Sequence, residues 1–167
     1  AGILSQYAPI KAKAIPALDG LKVLSRYGVG VDNLDMDAAT SAGVAVCNVP
    51  DYCQDEVSTH ALALLLDIIR GVSVQHTDVA AGGWDFRVAG SVPRTAGRTL
   101  GLLGFGAIAR TAAPKFKGLG LKVIAFDPYL PDKVFAGAGV EKVDLDTLFE
   151  RSDYISVHAP STPETHH

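Results

Sequence analysis

"TLGLLGFGAIAR", residues 99–110, sets three glycines in an apolar run and then changes to helical spacing. Its centre, Gly104-Phe105-Gly106-Ala107-Ile108-Ala109, fits the pattern Gly-x-Gly-x-x-(Gly/Ala). In that pattern the first glycine makes a tight turn, and the second lets backbone approach a pyrophosphate. A small third residue seats the helix close to the strand. The start of the helix then offers unpaired N–H groups and a positive dipole end to phosphates. Glycine turns between strand and helix also serve packing alone, so the neighbours decide. A strand, "TLGLLGF", precedes the glycines and a helix over 107–118 follows. A second strand, "LKVIAFD", ends at Asp127, 23 positions after Gly104. A ribose-binding acid stands about 20 residues on in dinucleotide-binding units. The constellation predicts a Rossmann-type cofactor site, with Gly104, Gly106, Ala107 and Ile108 at the phosphates.

Asp127 also bears on cofactor choice. A carboxylate there accepts hydrogen bonds from ribose hydroxyls and repels a 2′-phosphate, which favours NAD over NADP. An Asp before Pro128 suits a turn equally well, and the two roles are compatible.

Outward from this centre the same alternation continues. A short "EKV", a helix over "LDTLFER" and a strand "YISVHA" complete the C-terminal part. Towards the N-terminus, "GILSQYA", "LKVLSRYG" and "VAVCNV" read as strands. "IKAKAIPALDG" reads as a turn and short helix closed by Gly20. Asp35 caps a helix over "MDAATSA", which Gly43 stops. Strands alternating with helices through short connections imply parallel pairing and an α/β sheet. Between the two patterns, residues 54–79 lack proline and are apolar on nearly every face around "VSTHALALLLDIIRGV". They predict one buried helix of roughly 26 residues, about 40 Å long, able to bridge two domains or to pack on a second copy. Gly82, Gly83, Gly90 and Pro93 mark a loop after it.

The bulk composition narrows the function. A net charge of -3 makes nucleic acid an unexpected partner, and no apolar run approaches a membrane span. Cys47 and Cys53 are too few for a disulfide framework and have no metal-ligand spacing. No metal is therefore expected, and reduced thiols suit a cytoplasmic protein. The chain begins without Met, which leaves a leader open.

Taken together, "SRYGVGVDNLD", "GVAVCNVPDY", "EVSTHALALLL", "GRTLGLLGFGAIA", "VIAFDPYL" and "VHAPSTPETHH" resemble the D-isomer-specific 2-hydroxyacid dehydrogenases. That family includes D-3-phosphoglycerate dehydrogenase and the C-terminal-binding-protein corepressors. The segments cover nearly the whole chain in the family's order. The resemblance implies hydride transfer between NAD(H) and a small 2-hydroxy or 2-keto acid, with an NAD-sensing, corepressor-like protein as the alternative. It implies two Rossmann-like parallel-sheet domains joined by a long helix, both incomplete here. Residues 1–52 would end a substrate domain, 53–80 would form the linking helix, and 81–167 would begin the NAD domain. Substrate would lie between the domains, with its carboxylate on the Val29 and Gly30 amides, although the glycines alone equally suit a plain turn. Val57 would border the nicotinamide. His158, Ala159, Pro160 and Thr165 would border the cofactor, and His158 is not expected to be a catalytic acid. The long apolar helix suggests a homodimer.

The chain departs from the family pattern at a few positions. Ala107 stands where the family often has Arg, with Arg110 three residues later. Ala109 stands where Gly is usual, and Ser58 and Thr59 replace an Ala-acid pair. The family's catalytic Arg, Glu and His fall beyond the last strand seen here, so no catalytic residue is assigned. Ser161-x-x-Glu164, with Pro163 between, reads as a capping box announcing a further helix. Together with the abrupt start this suggests a fragment. The final two histidines, 166 and 167, suit a tag remnant.

Overall fold

The alternation read from the sequence is realised in the computed structural model, which describes residues 1–162, 164 and 165. The chain divides into two units, 1–52 and 53–167. In the first, strands β1 (Gly2–Ser5), β2 (Val23–Arg26) and β3 (Ala45–Cys47) form a parallel sheet in the order β1-β2-β3. Helix α1 (Met36–Ser41) begins where the Asp35 carboxylate accepts from Ala38 N–H at 2.9 Å, as a capping Asp should. Its core gathers Ile10, Ile15, Leu24, Leu34, Ala39 and Val44. The helix predicted within 10–20 does not form. Pro16 interrupts the stretch, and it runs instead as successive tight turns, with Ala14 N–H on Lys11 C=O at 2.8 Å and Leu21 N–H on Leu18 C=O at 3.1 Å.

The second unit holds strands β4 (Thr99–Leu103), β5 (Lys122–Phe126), β6 (Glu141–Lys142) and β7 (Tyr154–Val157), all parallel, in the order β6-β5-β4-β7. The strand order turns back beside β4, so the C-terminal ends of β4 and its neighbours open a crevice. Ligands of open α/β sheets sit in such crevices. Helix α4 (Ala107–Gly118) buries Ala109, Ala112, Ala113 and Phe116 against this sheet, which accounts for its small-residue face. α5 (Asp132–Gly137) contributes Phe135, stacked on Phe105 with ring centroids 4.8 Å apart, and α6 (Leu145–Arg151) buries Leu148. α5 and a short 3-10 turn over Phe86–Ala89 have no counterpart in the sequence reading.

The single long helix is not observed. The segment forms α2 (Gln54–Arg70) and α3 (Val72–Ala80), bent by 67°. Gly71 is the cause. It adopts a left-handed conformation (φ 61°), and a Cβ there would press on Ala89 Cβ at 2.9 Å. Asp67 secures the new start by accepting from Ser73 N–H at 2.7 Å and Ser73 Oγ at 2.6 Å. Only Ser58, Leu65 and Ile69 of α2 are buried, while Leu64 and Ile68 face outward, so α2 is not covered on every face within one chain. No single helix among the described residues is long and apolar enough to cross a membrane.

Candidate cofactor-binding site

The glycine turn is shaped by two different constraints. Gly104 has φ +88°, and a Cβ on it would lie 2.8 Å from Ala159 N and 2.9 Å from His158 C. Only glycine lets the loops after β4 and β7 come this close. Gly106, in ordinary extended backbone, has open space where its Cβ would stand. It forms the N-cap of α4 with no side chain capping the helix. The N–H groups of Ala107, Ile108 and Ala109 are in the first turn and have no intrahelical acceptor. A helix start with free donors, reached across a bare glycine, can take an anionic phosphate.

Asp127, at the end of β5, accepts from Phe105 N–H at 2.9 Å through one carboxylate oxygen and from Tyr129 N–H at 3.0 Å through the other. It therefore makes the turn before Pro128 and also ties that turn to the glycine loop. Each oxygen keeps a further lone pair for a ligand hydroxyl. A cleft of about 690 Å³ opens here, bordered by Gly104, Gly106, Asp127, His158, Ala159, Pro160 and Thr165. Thr165 is held by its own loop, its hydroxyl donating to Pro160 C=O at 2.7 Å. Ala107 and Ile108, in the first turn of α4, are not among the residues that border the cleft. Val57 does not reach the cleft. It borders a separate apolar groove of about 300 Å³ with His60, Leu64, Ile68, Ser156 and His158. Burial pushes the His158 imidazole below its ordinary value, and Ser156 Oγ lies 3.0 Å from its Nε2.

Further residues border the cleft that the sequence did not single out. Leu145 and Phe149 present an apolar wall from α6. Their i, i+4 spacing was the available signal. Tyr129 and Glu164 also border it, and the Tyr129 hydroxyl donates to Glu164 Oε2 at 2.5 Å. Glu164 thus turns to Tyr129 instead of back to Ser161 as a capping box would require. Pro163, the rest of that signal, lies outside the described residues, as do the final histidines 166 and 167.

The family departures find local partners. Lys115 Nζ, on α4, donates to Ser58 Oγ and Thr59 Oγ1 at 2.7 Å each and pairs with Asp55 at 2.7 Å, stitching α2 to α4. Arg110 donates to Phe105 C=O at 2.9 Å, so its charge braces the glycine loop.

In the first unit, the loop after β2 exposes Val29 and Gly30, whose N–H groups meet no acceptor among the described residues. Asn48 fixes the loop by donating to Val29 C=O at 2.7 Å, and Val49 N–H bonds Gly28 C=O at 3.0 Å. Gly28 lies against the Arg26 guanidinium, whose Nε is buried without a partner. The loop thus carries two free amides, with the Arg26 charge against Gly28 and the Asp32 carboxylate beside Gly30. Among the described residues, no group of three or more His, Cys, Asp or Glu is placed to hold a metal ion.

Comparisons with known proteins agree with this geometry. The profile described as "D-isomer specific 2-hydroxyacid dehydrogenase, NAD binding domain" matches residues 62–167. D-3-phosphoglycerate dehydrogenase of Mycobacterium leprae is 40% identical over 93% of this chain and 29% of its own length. Among solved structures, apo D-mandelate dehydrogenase of Rhodotorula graminis superposes with a TM-score of 0.86 at 32% identity, covering 99% of this chain and 53% of that one. An acyclic imino acid reductase in complex with NADPH and D-Arg gives 0.84 at 25% identity, over 98% of this chain and 52% of that one. The chain thus spans about three tenths to half the length of these relatives.

Proposed function

The chain belongs to the D-isomer specific 2-hydroxyacid dehydrogenase family, and from that premise we propose that its parent activity is the NAD-dependent interconversion of a small 2-hydroxy acid and the corresponding 2-keto acid. Residues 62–167 match the family's NAD binding domain. The observation that carries the proposal is the strand-end cleft, with a bare Gly106 at an uncapped helix start and a carboxylate, Asp127, across from it. Gly106 with the N–H groups of Ala107 and Ile108 would hold the pyrophosphate. Asp127 would hold the ribose, and His158, Ala159, Pro160 and Thr165 would close the wall. Bound there, the nicotinamide would supply the two-electron chemistry. The Val29 and Gly30 amides, backed by the Arg26 charge, would hold the substrate carboxylate. Catalytic proton transfer is assigned to no residue of this chain.

A homodimer is the natural cover for the apolar side chains left outside on α2, α3 and the following loop. Leu64, Ile68, Val72, Trp84 and Phe86 are all more than half exposed. The two free cysteines support a reducing, cytoplasmic compartment. The relatives' names, dehydrogenases and a reductase, favour turnover over sensing.

Fluorescence titration with NADH tests the cofactor reading. Asp127→Ala should weaken NADH by roughly tenfold, the scale of a lost hydrogen bond to a charged group. Unchanged affinity would mean an α/β domain whose cleft has another use. An NADH-linked panel of 2-keto acids tests the reaction, and tight NADH binding without turnover would favour the sensing alternative.

A further inference from the structure

Asp127 explains a preference for NAD over NADP only at one point of the cleft rim, and a solved relative on this fold carries NADPH. The fold itself therefore does not decide the question, and local charge must. Two carboxylates border the cleft. Asp127 ends β5. Glu164 comes from the loop after β7. Tyr129 connects them. Its backbone N–H donates to Asp127 at 3.0 Å, and its hydroxyl donates to Glu164 Oε2 at 2.5 Å. The hydrogen bond to the Glu164 carboxylate raises the Tyr129 phenol above its ordinary value. Glu164 is exposed and has no lysine or arginine partner among the described residues, so its charge is not cancelled. Lys142 and Arg151, which line a neighbouring pocket together with Asp127, are already paired with Asp132 and Glu141.

We propose that Glu164, held in place by Tyr129, is a second specificity-determining acid that disfavours a 2′-phosphate on the adenosine side of the cleft. The inference rests on the cofactor reading above. A ribose hydroxyl can donate to a carboxylate, whereas a phosphate brings about two negative charges against both acids at once. Asp127 rejects the phosphate by contact, and Glu164, exposed at the cleft's edge, does so at longer range. Its share is therefore smaller and falls with salt. Tyr129 contributes by keeping the charge facing the cleft instead of dispersed in solvent.

Paired fluorescence titrations with NADH and NADPH test this on the wild type, Glu164→Gln, Tyr129→Phe and Asp127→Ala. Glu164→Gln should narrow the NADH-over-NADPH preference about threefold to fivefold at low salt, the scale of a partly screened charge pair. NADH affinity itself should stay within about twofold. The narrowing should shrink at high salt. Tyr129→Phe should act in the same direction, more weakly. If Glu164→Gln leaves the ratio unchanged while Asp127→Ala collapses it, the second acid is refuted and the cofactor site stands. If the wild type fails to bind NADH at all, the cofactor reading falls, and this inference falls with it.

Discussion

Gly28-Val29-Gly30 and Gly104-Phe105-Gly106 are the same signal at the ends of two parallel strands, and the structure uses them differently. At Gly104 the obstacle to a side chain is backbone, the Ala159 N–H and the His158 carbonyl carbon. At Gly28 the obstacle is the flexible tip of Arg26. The second turn runs directly into a helix of 12 residues, and the first runs into an exposed loop. The glycine pattern therefore marks a close approach in both units, but what approaches differs. One turn is a fixed seat beside a helix dipole. The other is a loop with two free amides, flanked by the Arg26 charge at Gly28 and the Asp32 carboxylate at Gly30.

Gly104→Ala should break this contrast with the largest effect. The substitution forces a left-handed residue and a backbone clash together. Each is worth about 1–3 kcal/mol, so urea denaturation should report a loss of about 3 kcal/mol or more. A loss under about 1 kcal/mol would mean that the loops after β4 and β7 can separate freely. Gly106→Ala should have a different signature. Its Cβ meets only open space and its φ is ordinary, so stability should change by only a few tenths of a kcal/mol. NADH affinity should nevertheless fall by roughly tenfold or more, because the methyl stands where the pyrophosphate must approach the amides. A Gly106→Ala variant that binds NADH normally would place the phosphates elsewhere.

Gly28→Ala sharpens the other half of the comparison. The φ of +158° strains any side chain, but the flexible Arg26 tip can yield, so the cost should be about 1–3 kcal/mol, below that at Gly104. The displaced Arg26 should then appear as weaker binding of 2-keto acids, with NADH affinity unchanged. Equal destabilisation at the two glycines would show that Arg26 is as rigid as backbone.

The strands of both units and the start of α4 were legible because they rest on local signals: β-rich runs, a capping Asp35 and glycines at fixed offsets. The bend at Gly71 was not, since a glycine inside an apolar helical run looks tolerable until Ala89 is known to press against it. The glycines and Asp127 were found in the cleft by spacing alone. Tyr129 and Glu164 were missed because their pairing spans 35 positions, and the local pattern assigned Glu164 to a capping box. Val57 was tied to the cleft only by resemblance, and it borders a separate groove that shares only Val157 and His158 with the cleft. The roles of Ser58 and Thr59 depended on Lys115, 57 and 56 positions away.

The smallest expected effect separates the two units by pH. Burial lowers the His158 pKa from its ordinary value of 6.5, whereas residues 1–52 contain no histidine. As pH falls through that value, the unfolded chain takes up a proton at His158 that the folded chain refuses, so the second unit loses stability. The loss begins near the unfolded value and stops growing once the pH is below the lowered folded one. The carboxylates held below their usual range, Asp67 and Asp153 among them, add their own loss only nearer 3.8. Hydrogen exchange at β4 and β7 should therefore show weaker protection at about pH 5.5 than at about pH 7.5, after correction for intrinsic rates, while β1–β3 stay unchanged. His158→Asn should remove the difference, since an amide does not titrate. A slope that survives this substitution would assign the acid sensitivity to another group.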